Sequence, residues 1–150
     1  MQRQDFEPML AFAEQMRLES PVYRDMALDR AKLLALGERM VAEPERVCGL
    51  VAWSWGQIVG LMVGFVSEPY FGPGCLASDL ALFVPENVRG GLIAAALIRR
   101  FEAWAQARGA SEVQLGITTG VHHDRTAALY ARLGFAPFGV VCRKSTAGGA

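Results

Sequence analysis

The first third of the chain has the hydrophobic spacing of two helices. Apolar residues recur at intervals of three and four from Phe6 to Met16, which places them on one face of a helix that ends at the Glu-Ser-Pro of residues 19–21. A second helix is predicted to begin near Asp29, a favourable N-cap residue, and to end at the Glu-Pro-Glu of residues 43–45. Its apolar stripe comprises Leu33, Leu36, Met40 and Val41.

The middle of the chain changes to a pattern that favours strands. β-Branched and aromatic residues are concentrated in Val47–Trp53 and Ile58–Ser67, and residues 54–57 between them are typical of a short hairpin connection. A loop of turn-forming residues, 69–74, leads to a third strand at about Leu76–Val84. Three strands with short links predict an antiparallel meander.

The last third returns to helices. Ile93, Leu97, Phe101 and Trp104 form one helical stripe, which ends at Arg108-Gly109. The rest of the pattern predicts three elements in order: a strand at Glu112–Thr118, a short helix at Asp124–Leu133, and a final strand at Phe135–Arg143. We therefore predict a single α/β (α+β) domain over residues 1–144, with a mixed, mostly antiparallel sheet flanked by helices. Residues 145–150 are small and are expected to form a disordered tail.

Composition and charge narrow the classes of function. The chain has 150 residues, of which 52% are hydrophobic, and its 15 Lys and Arg balance 15 Asp and Glu. A net charge of zero lacks the electrostatic footprint of a general nucleic-acid binder. The longest apolar run, Ile58–Val66, is far shorter than the ~20 residues that cross a bilayer, and the N-terminus lacks a signal-peptide pattern. We expect a cytoplasmic protein that binds neither nucleic acid nor membrane.

The transition from the third strand to the third helix carries the clearest chemical signal. Arg89-Gly90-Gly91 stands between a hydrophobic strand and an amphipathic helix. The first turn of a helix leaves four backbone N–H groups without internal partners, and the helix dipole adds partial positive charge there. Two glycines allow a ligand to approach the backbone, and Arg89 adds a full charge. These residues predict a pyrophosphate site, with an ordinary sharp turn as the alternative.

A second motif follows 40 residues later in the chain. Leu129-Tyr130-x-x-Leu133-Gly134-Phe135 is a helix that ends in Leu-Gly-Phe. Together with the Arg-Gly-Gly loop and the helix after it, this pattern resembles the GCN5-related N-acetyltransferase (GNAT) superfamily over residues 47–143. Residues 19–24 also resemble the link between helices in a bacterial and phage subgroup that carries Arg-Gly-Gly.

Three departures from the family pattern bear on activity. Leu92 stands where the family's Arg/Gln-x-x-Gly-x-Gly/Ala loop has its first Gly, and Gly91 comes one residue early. His122-His123 stand near the position of the usual Asn, and a single strand follows Phe135 where two are common. A catalytically weak or inactive module that binds CoA or regulates a partner is therefore the alternative to an enzyme.

The resemblance implies acetyl-CoA as acetyl donor. It implies that backbone N–H groups of the loop and helix start hold the pyrophosphate, and that the edge of the third strand holds the pantetheine. The implied cofactor-binding residues are Leu82, Phe83, Val84, Arg89, Gly90, Gly91, Leu92, Ile93, Ala94 and His123. Adjacent His122 and His123 diverge in a loop without a third ligand at helical spacing, so we expect no metal; they line the cofactor channel or face solvent.

The resemblance also implies two catalytic residues. Tyr130 matches the motif tyrosine, which donates a proton or a hydrogen bond to the departing thiolate. Asp79, near the start of the third strand, is the candidate base that deprotonates the amine, and Glu68 is its alternative. A structural role for Tyr130 in the core and for Asp79 as a solvated strand residue stay open.

The acceptor is expected to be an amine on a small molecule or a peptide. By resemblance, the loops that contain Tyr23, Arg24, Tyr70 and Phe71 border its site. The short sheet also predicts an edge that a second copy of the chain would cover in a homodimer.

Overall fold

A computed structural model describes residues 2–144, and the predicted tail lies outside these residues. The helices are α1 (Phe6–Glu19), α2 (Arg30–Ala42), α3 (Ile93–Gln106) and α4 (His123–Arg132). The strands are β1 (Val47–Ser54), β2 (Gln57–Ser67), β3 (Leu76–Phe83) and β4 (Glu112–Gln114). They form one sheet in the order β1-β2-β3-β4, antiparallel except for the parallel pair β3–β4. The predicted fold class, a mixed and mostly antiparallel sheet with helices around it, is confirmed.

Alternation along β2 separates two hydrophobic cores. Successive side chains of a strand point to opposite faces, so Met62 joins one core while Leu61 and Val63 join the other. The first core contains α3 and Tyr130 of α4. Fully buried Phe101 of α3 lies so close to β2 that a Cβ on Gly64 would collide with its ring.

The second core holds α1 and α2 against the opposite face of the sheet. Phe12 of α1 contacts Phe83 of β3 edge-on, with ring centroids 5.1 Å apart. The start of α2 was predicted correctly, because the carboxylate of Asp29 accepts a hydrogen bond from the Lys32 amide at 3.0 Å. The helices on this face bring the loop between α1 and α2 to one end of the sheet.

The fourth strand is shorter than the predicted Glu112–Thr118. Only Glu112–Gln114 pairs with β3, at Leu76–Ser78. Beyond this point side chains, rather than the backbone of β3, bind the chain after β4. Asp79 accepts a hydrogen bond from the amide of Gly116, and Tyr130 donates one to its carbonyl. The two strands therefore part after their third pair.

The predicted last strand, Phe135–Arg143, is wrong, since these residues form no strand. Pro137 has no N–H to donate to a ladder, and after the half-buried Phe135 the side chains of Phe138, Val140 and Val141 are exposed rather than buried against the sheet. In the described part of the chain, no helix is long and apolar enough to cross a membrane.

Candidate functional site

A cleft of about 790 Å³ opens where β3 and the segment after β4 part. The exposed edge of β3 forms one wall and residues 116–122 form the other. Leu80 is an extra residue in the β2–β3 pairing, where the register shifts between Val63 and Gly64. This bulge and the short β4 leave a gap between β3 and the segment that follows β4.

The two predicted catalytic side chains meet at the backbone of one residue, Gly116, at the base of this gap. Asp79 Oδ1 accepts a hydrogen bond from the Gly116 N–H at 2.8 Å, and the Tyr130 hydroxyl donates to the Gly116 carbonyl at 3.3 Å. Both side chains line the cleft. Gly116, which no sequence motif indicated, holds both groups at the point where the strands diverge.

Burial raises the pKa of both Asp79 and Tyr130. Burial raises the pKa of Asp79 above the usual range of a carboxyl, and the hydrogen bonds from the Gly116 and Asp79 backbone amides oppose this rise. Burial also raises the pKa of Tyr130, and the nearby charge of Asp79 adds to the effect. Asp79 is thus a stronger base than an exposed aspartate, while Tyr130 stays protonated as a hydrogen-bond donor.

The start of α3 presents unpaired backbone donors to the cleft. The first amide with a helical partner is that of Ala96, which donates to Leu92. Among the described residues, none accepts a hydrogen bond from the six amides of residues 90–95. Gly90 has a φ of +90°, which favours glycine, and nothing crowds Gly91. An anion seated here would meet several donors and the positive end of a helix dipole.

The Arg89 side chain turns away from this loop. Its Nε donates to the Val84 carbonyl at 2.7 Å, its Nη2 pairs with Glu19, and its guanidinium stacks over the Phe83 ring at 5.6 Å. Its own amide donates to Glu86, so it is not a free donor either. Arg89 fixes the loop to the end of α1, whereas we expected its charge to face the ligand.

Arg125, which the sequence reasoning missed, brings the exposed charge to the loop. A Cβ on Gly90 would lie 3.7 Å from its Nη2, and Arg125 lines the cleft. No carboxylate in the described part of the chain pairs with it. A basic residue in the first turn of a helix is unfavourable for the helix dipole. The position of Arg125 in the first turn of α4 was therefore the sequence signal that could have indicated a ligand-binding role.

Other predicted residues divide between the cleft and solvent. Ile93, Ala94 and the strand residues Leu82, Phe83 and Val84 line the cleft, while Leu92 lies outside it and is exposed. His122, rather than His123, lines the cleft. His123 is exposed, and its Nδ1 lies 3.2 Å from Asp124.

The loops predicted to border the acceptor also divide. Tyr23 lines the cleft, whereas Tyr70 and Phe71 pack on each other in an exposed loop and Glu68 faces solvent. The fully buried Ser20 holds the loop with Tyr23 in place. Its hydroxyl donates to the Thr119 carbonyl at 2.6 Å and accepts the amides of residues 22 and 23 at 3.2 Å.

Comparisons with known proteins agree with this geometry. AAC(6')-Iy, solved in complex with the bisubstrate analogue CoA-S-monomethyl-acetylneamine, superposes with a TM-score of 0.78 at 16% identity, over 97% of this chain and 94% of that one. The apo aminoglycoside antibiotic 6'-N-acetyltransferase from Acinetobacter haemolyticus gives 0.72 at 18% identity, over 99% and 97%. Glucosamine-6-phosphate N-acetyltransferase from Arabidopsis thaliana gives 0.71 at 10% identity, over 93% of each chain.

These identities show the fold alone, and a search of curated proteins gives no match. The family model described as "Acetyltransferase (GNAT) family" matches residues 10–135, which include the parted strands, the glycine loop and the motif of Tyr130. The chain therefore belongs to the GNAT family of acetyltransferases.

Proposed function

We propose that the protein is an N-acetyltransferase that transfers the acetyl group of acetyl-CoA to a primary amine. The observation that carries this proposal is the meeting of Asp79 and Tyr130 at Gly116, in the gap of a cleft whose other end presents free amides. Membership of the Arg-Gly-Gly subgroup and a cytoplasmic location stay predictions from the sequence, as does a homodimer.

Acetyl-CoA would supply an activated thioester and a strongly anionic pyrophosphate. The six amides of residues 90–95 and the guanidinium of Arg125 suit the pyrophosphate, because they combine directed donors with a full charge. The edge of β3 beyond Ser78, which has no strand beside it on the β4 side, suits the amides of the pantetheine arm.

The reaction forms a C–N bond and breaks a C–S bond, so the amine loses one proton and the sulfur gains one. Asp79 accepts the amine's proton, directly or through water, and its raised pKa helps. Tyr130 has a raised pKa, which makes full proton transfer from its hydroxyl uphill. Its hydroxyl therefore turns from the Gly116 carbonyl to the sulfur and stabilises the developing thiolate by donating a hydrogen bond, and the thiolate takes its proton from solvent as it leaves.

The function is tested by a screen for thiol release from acetyl-CoA over an amine library. The alternative, a module that binds CoA without catalysis, is supported by Leu92, whose side chain is 82% exposed at the mouth of the loop where the family pattern has Gly. Binding of CoA with no turnover on any amine would favour that alternative.

Acetyl-CoA should raise the melting temperature of the protein, because it binds the folded state only. At a hundredfold excess over Kd the expected stabilisation is about 2.7 kcal/mol. ATP offers phosphates but no pantetheine and should have a much smaller effect at the same concentration in differential scanning fluorimetry. Equal stabilisation by ATP would contradict the role of the β3 edge.

Two arginine variants should separate binding from folding. Arg125→Ala should weaken CoA binding roughly tenfold with little change in melting temperature, because its guanidinium is exposed and unpaired among the described residues. Arg89→Ala should lower the melting temperature, since it leaves Glu19 and the Val84 carbonyl without their partner. Isothermal titration with CoA and thermal melts of both variants check this. If Arg89→Ala instead weakened CoA binding and Arg125→Ala lowered the melting temperature, Arg89 would be the residue that contacts the ligand.

A further inference from the structure

The cleft continues past Asp79 to the face of the sheet that α1 and α2 cover. Most of the side chains that form its walls there are apolar. The lining side chains on this side are Met9, Ala13, Met16, Met26, Leu28, Leu33, Leu36 and Met40. Methionine side chains adapt to irregular apolar shapes, and the leucines add aliphatic surface. This side of the cleft is suited to a hydrocarbon group.

The charges on this side oppose a second positive group. Among the described residues, Asp29 and Asp79 are the only carboxylates that line the cleft. Asp29 already caps α2, and Asp79 lies at the reaction point. The other charged residues that line this side are cations, Lys32 and the Glu14-paired Arg17, and neither can receive an additional ammonium group.

Arg17 is also held in place, so it does not swing away readily. Its guanidinium forms a salt bridge with Glu14 at 2.8 Å and donates to the carbonyls of Arg24 and, at 3.1 Å, Met26. An amine that enters this side therefore finds one carboxylate for its reacting nitrogen, hydrocarbon for its stem, and an arginine that is already paired and held in place.

We infer that the acceptor is a monoamine on an apolar stem and that polycationic amines are excluded. This inference rests on the proposed function and names its substrate class. The inferred acceptor differs from the polyamino sugar in the analogue bound by AAC(6')-Iy, a protein whose fold the chain shares. A second ammonium group would lose its hydration beside Met and Leu side chains with no carboxylate to receive it.

A matched pair of amines tests the inference. Heptylamine and 1,6-diaminohexane have the same length and differ only in a terminal methyl group against a terminal ammonium. We expect kcat/KM for heptylamine to exceed that for the diamine at least tenfold, and to rise about fourfold per methylene from butylamine to hexylamine. Neamine should give less turnover than either amine. Calorimetric titration of each amine into the protein with CoA present should give the same order of affinity without turnover.

Each outcome decides a different claim. Equal or better use of the diamine or of neamine would overturn the inference and leave the acetyltransferase proposal intact. Failure of heptylamine to bind would also overturn it, even if another amine reacts. If CoA does not bind and acetyl-CoA releases no thiol with any amine, the proposed function itself is wrong.

A pair of variants places the selectivity on the α2 wall. Leu33→Glu adds a carboxylate to the cleft, and Leu33→Gln is its uncharged control of equal size. Relative to the Gln variant, the Glu variant should shift the preference roughly tenfold toward the diamine, with similar melting temperatures for the two. An unchanged ratio would show that the stem does not lie against this wall and would overturn the inference.

Discussion

Asp79→Asn should lower kcat/KM by about a hundredfold to ten-thousandfold, the usual contribution of a general base. Asparagine keeps an oxygen that accepts the Gly116 amide, so the gap between the strands should keep its shape. It cannot take a proton from the amine. The measurement is steady-state thiol release with a true acceptor, with CoA affinity as the control.

The same variant should not be less stable at neutral pH. Burial raises the pKa of Asp79 in the folded state, so folding binds a proton more tightly and the ionised wild type carries a penalty. The penalty grows as pH rises from the ordinary carboxyl range through the raised pKa, and it vanishes below that window. Thermal melts should thus show Asp79→Asn matching the wild type at low pH and exceeding it at pH 7. A variant that is inactive because it unfolds would contradict the catalytic role.

Tyr130→Phe should reduce turnover about a hundredfold, the effect of removing one donor to a developing negative charge. The ring stays packed against Phe135, at a centroid distance of 5.9 Å, so CoA affinity should change little. The lost hydrogen bond to the Gly116 carbonyl should destabilise the fold by only about 1 kcal/mol.

A purely structural tyrosine predicts the opposite result. The Phe variant would then lose stability while turnover per folded molecule stayed intact. A useful control is Tyr23→Phe, because Tyr23 also lines the cleft but its hydroxyl forms no hydrogen bond with Gly116, so this variant should lose little activity. Equal losses of turnover in the two variants would contradict a catalytic role for the Tyr130 hydroxyl.

Local patterns predicted most of the fold. The periodicity of α1 and α3, the N-cap at Asp29 and the alternation of β1 to β3 act over a few residues, so the sequence carries them directly. The end of β4 after Gln114 could not be predicted in this way. It depends on Asp79 and Tyr130, from distant parts of the chain, binding the backbone N–H and C=O of Gly116.

In the candidate site, too, features set by neighbouring residues could be predicted from the sequence, whereas features set by long-range contacts could not. Free amides after the glycine loop follow from the start of any helix, and the motif of Tyr130 is contiguous. The direction of the Arg89 side chain depends on Glu19, which is 70 residues away, and the proximity of Arg125 to Gly90 depends on how α4 packs. The apolar side of the cleft likewise forms only when α1 and α2 cover the sheet.

Two consecutive residues at the end of α1 anchor both sides of the cleft. Glu19 pairs with Arg89 beside the glycine loop, and Ser20 binds Thr119 on the opposite wall. The cleft width at this end is thereby fixed by bonds that meet at one helix terminus. Residues 21–29 are mostly exposed and leave from this anchor. Because Arg17 of the same helix also binds the carbonyls of Arg24 and Met26, α1 sets the position of this loop as well as the width of the cleft.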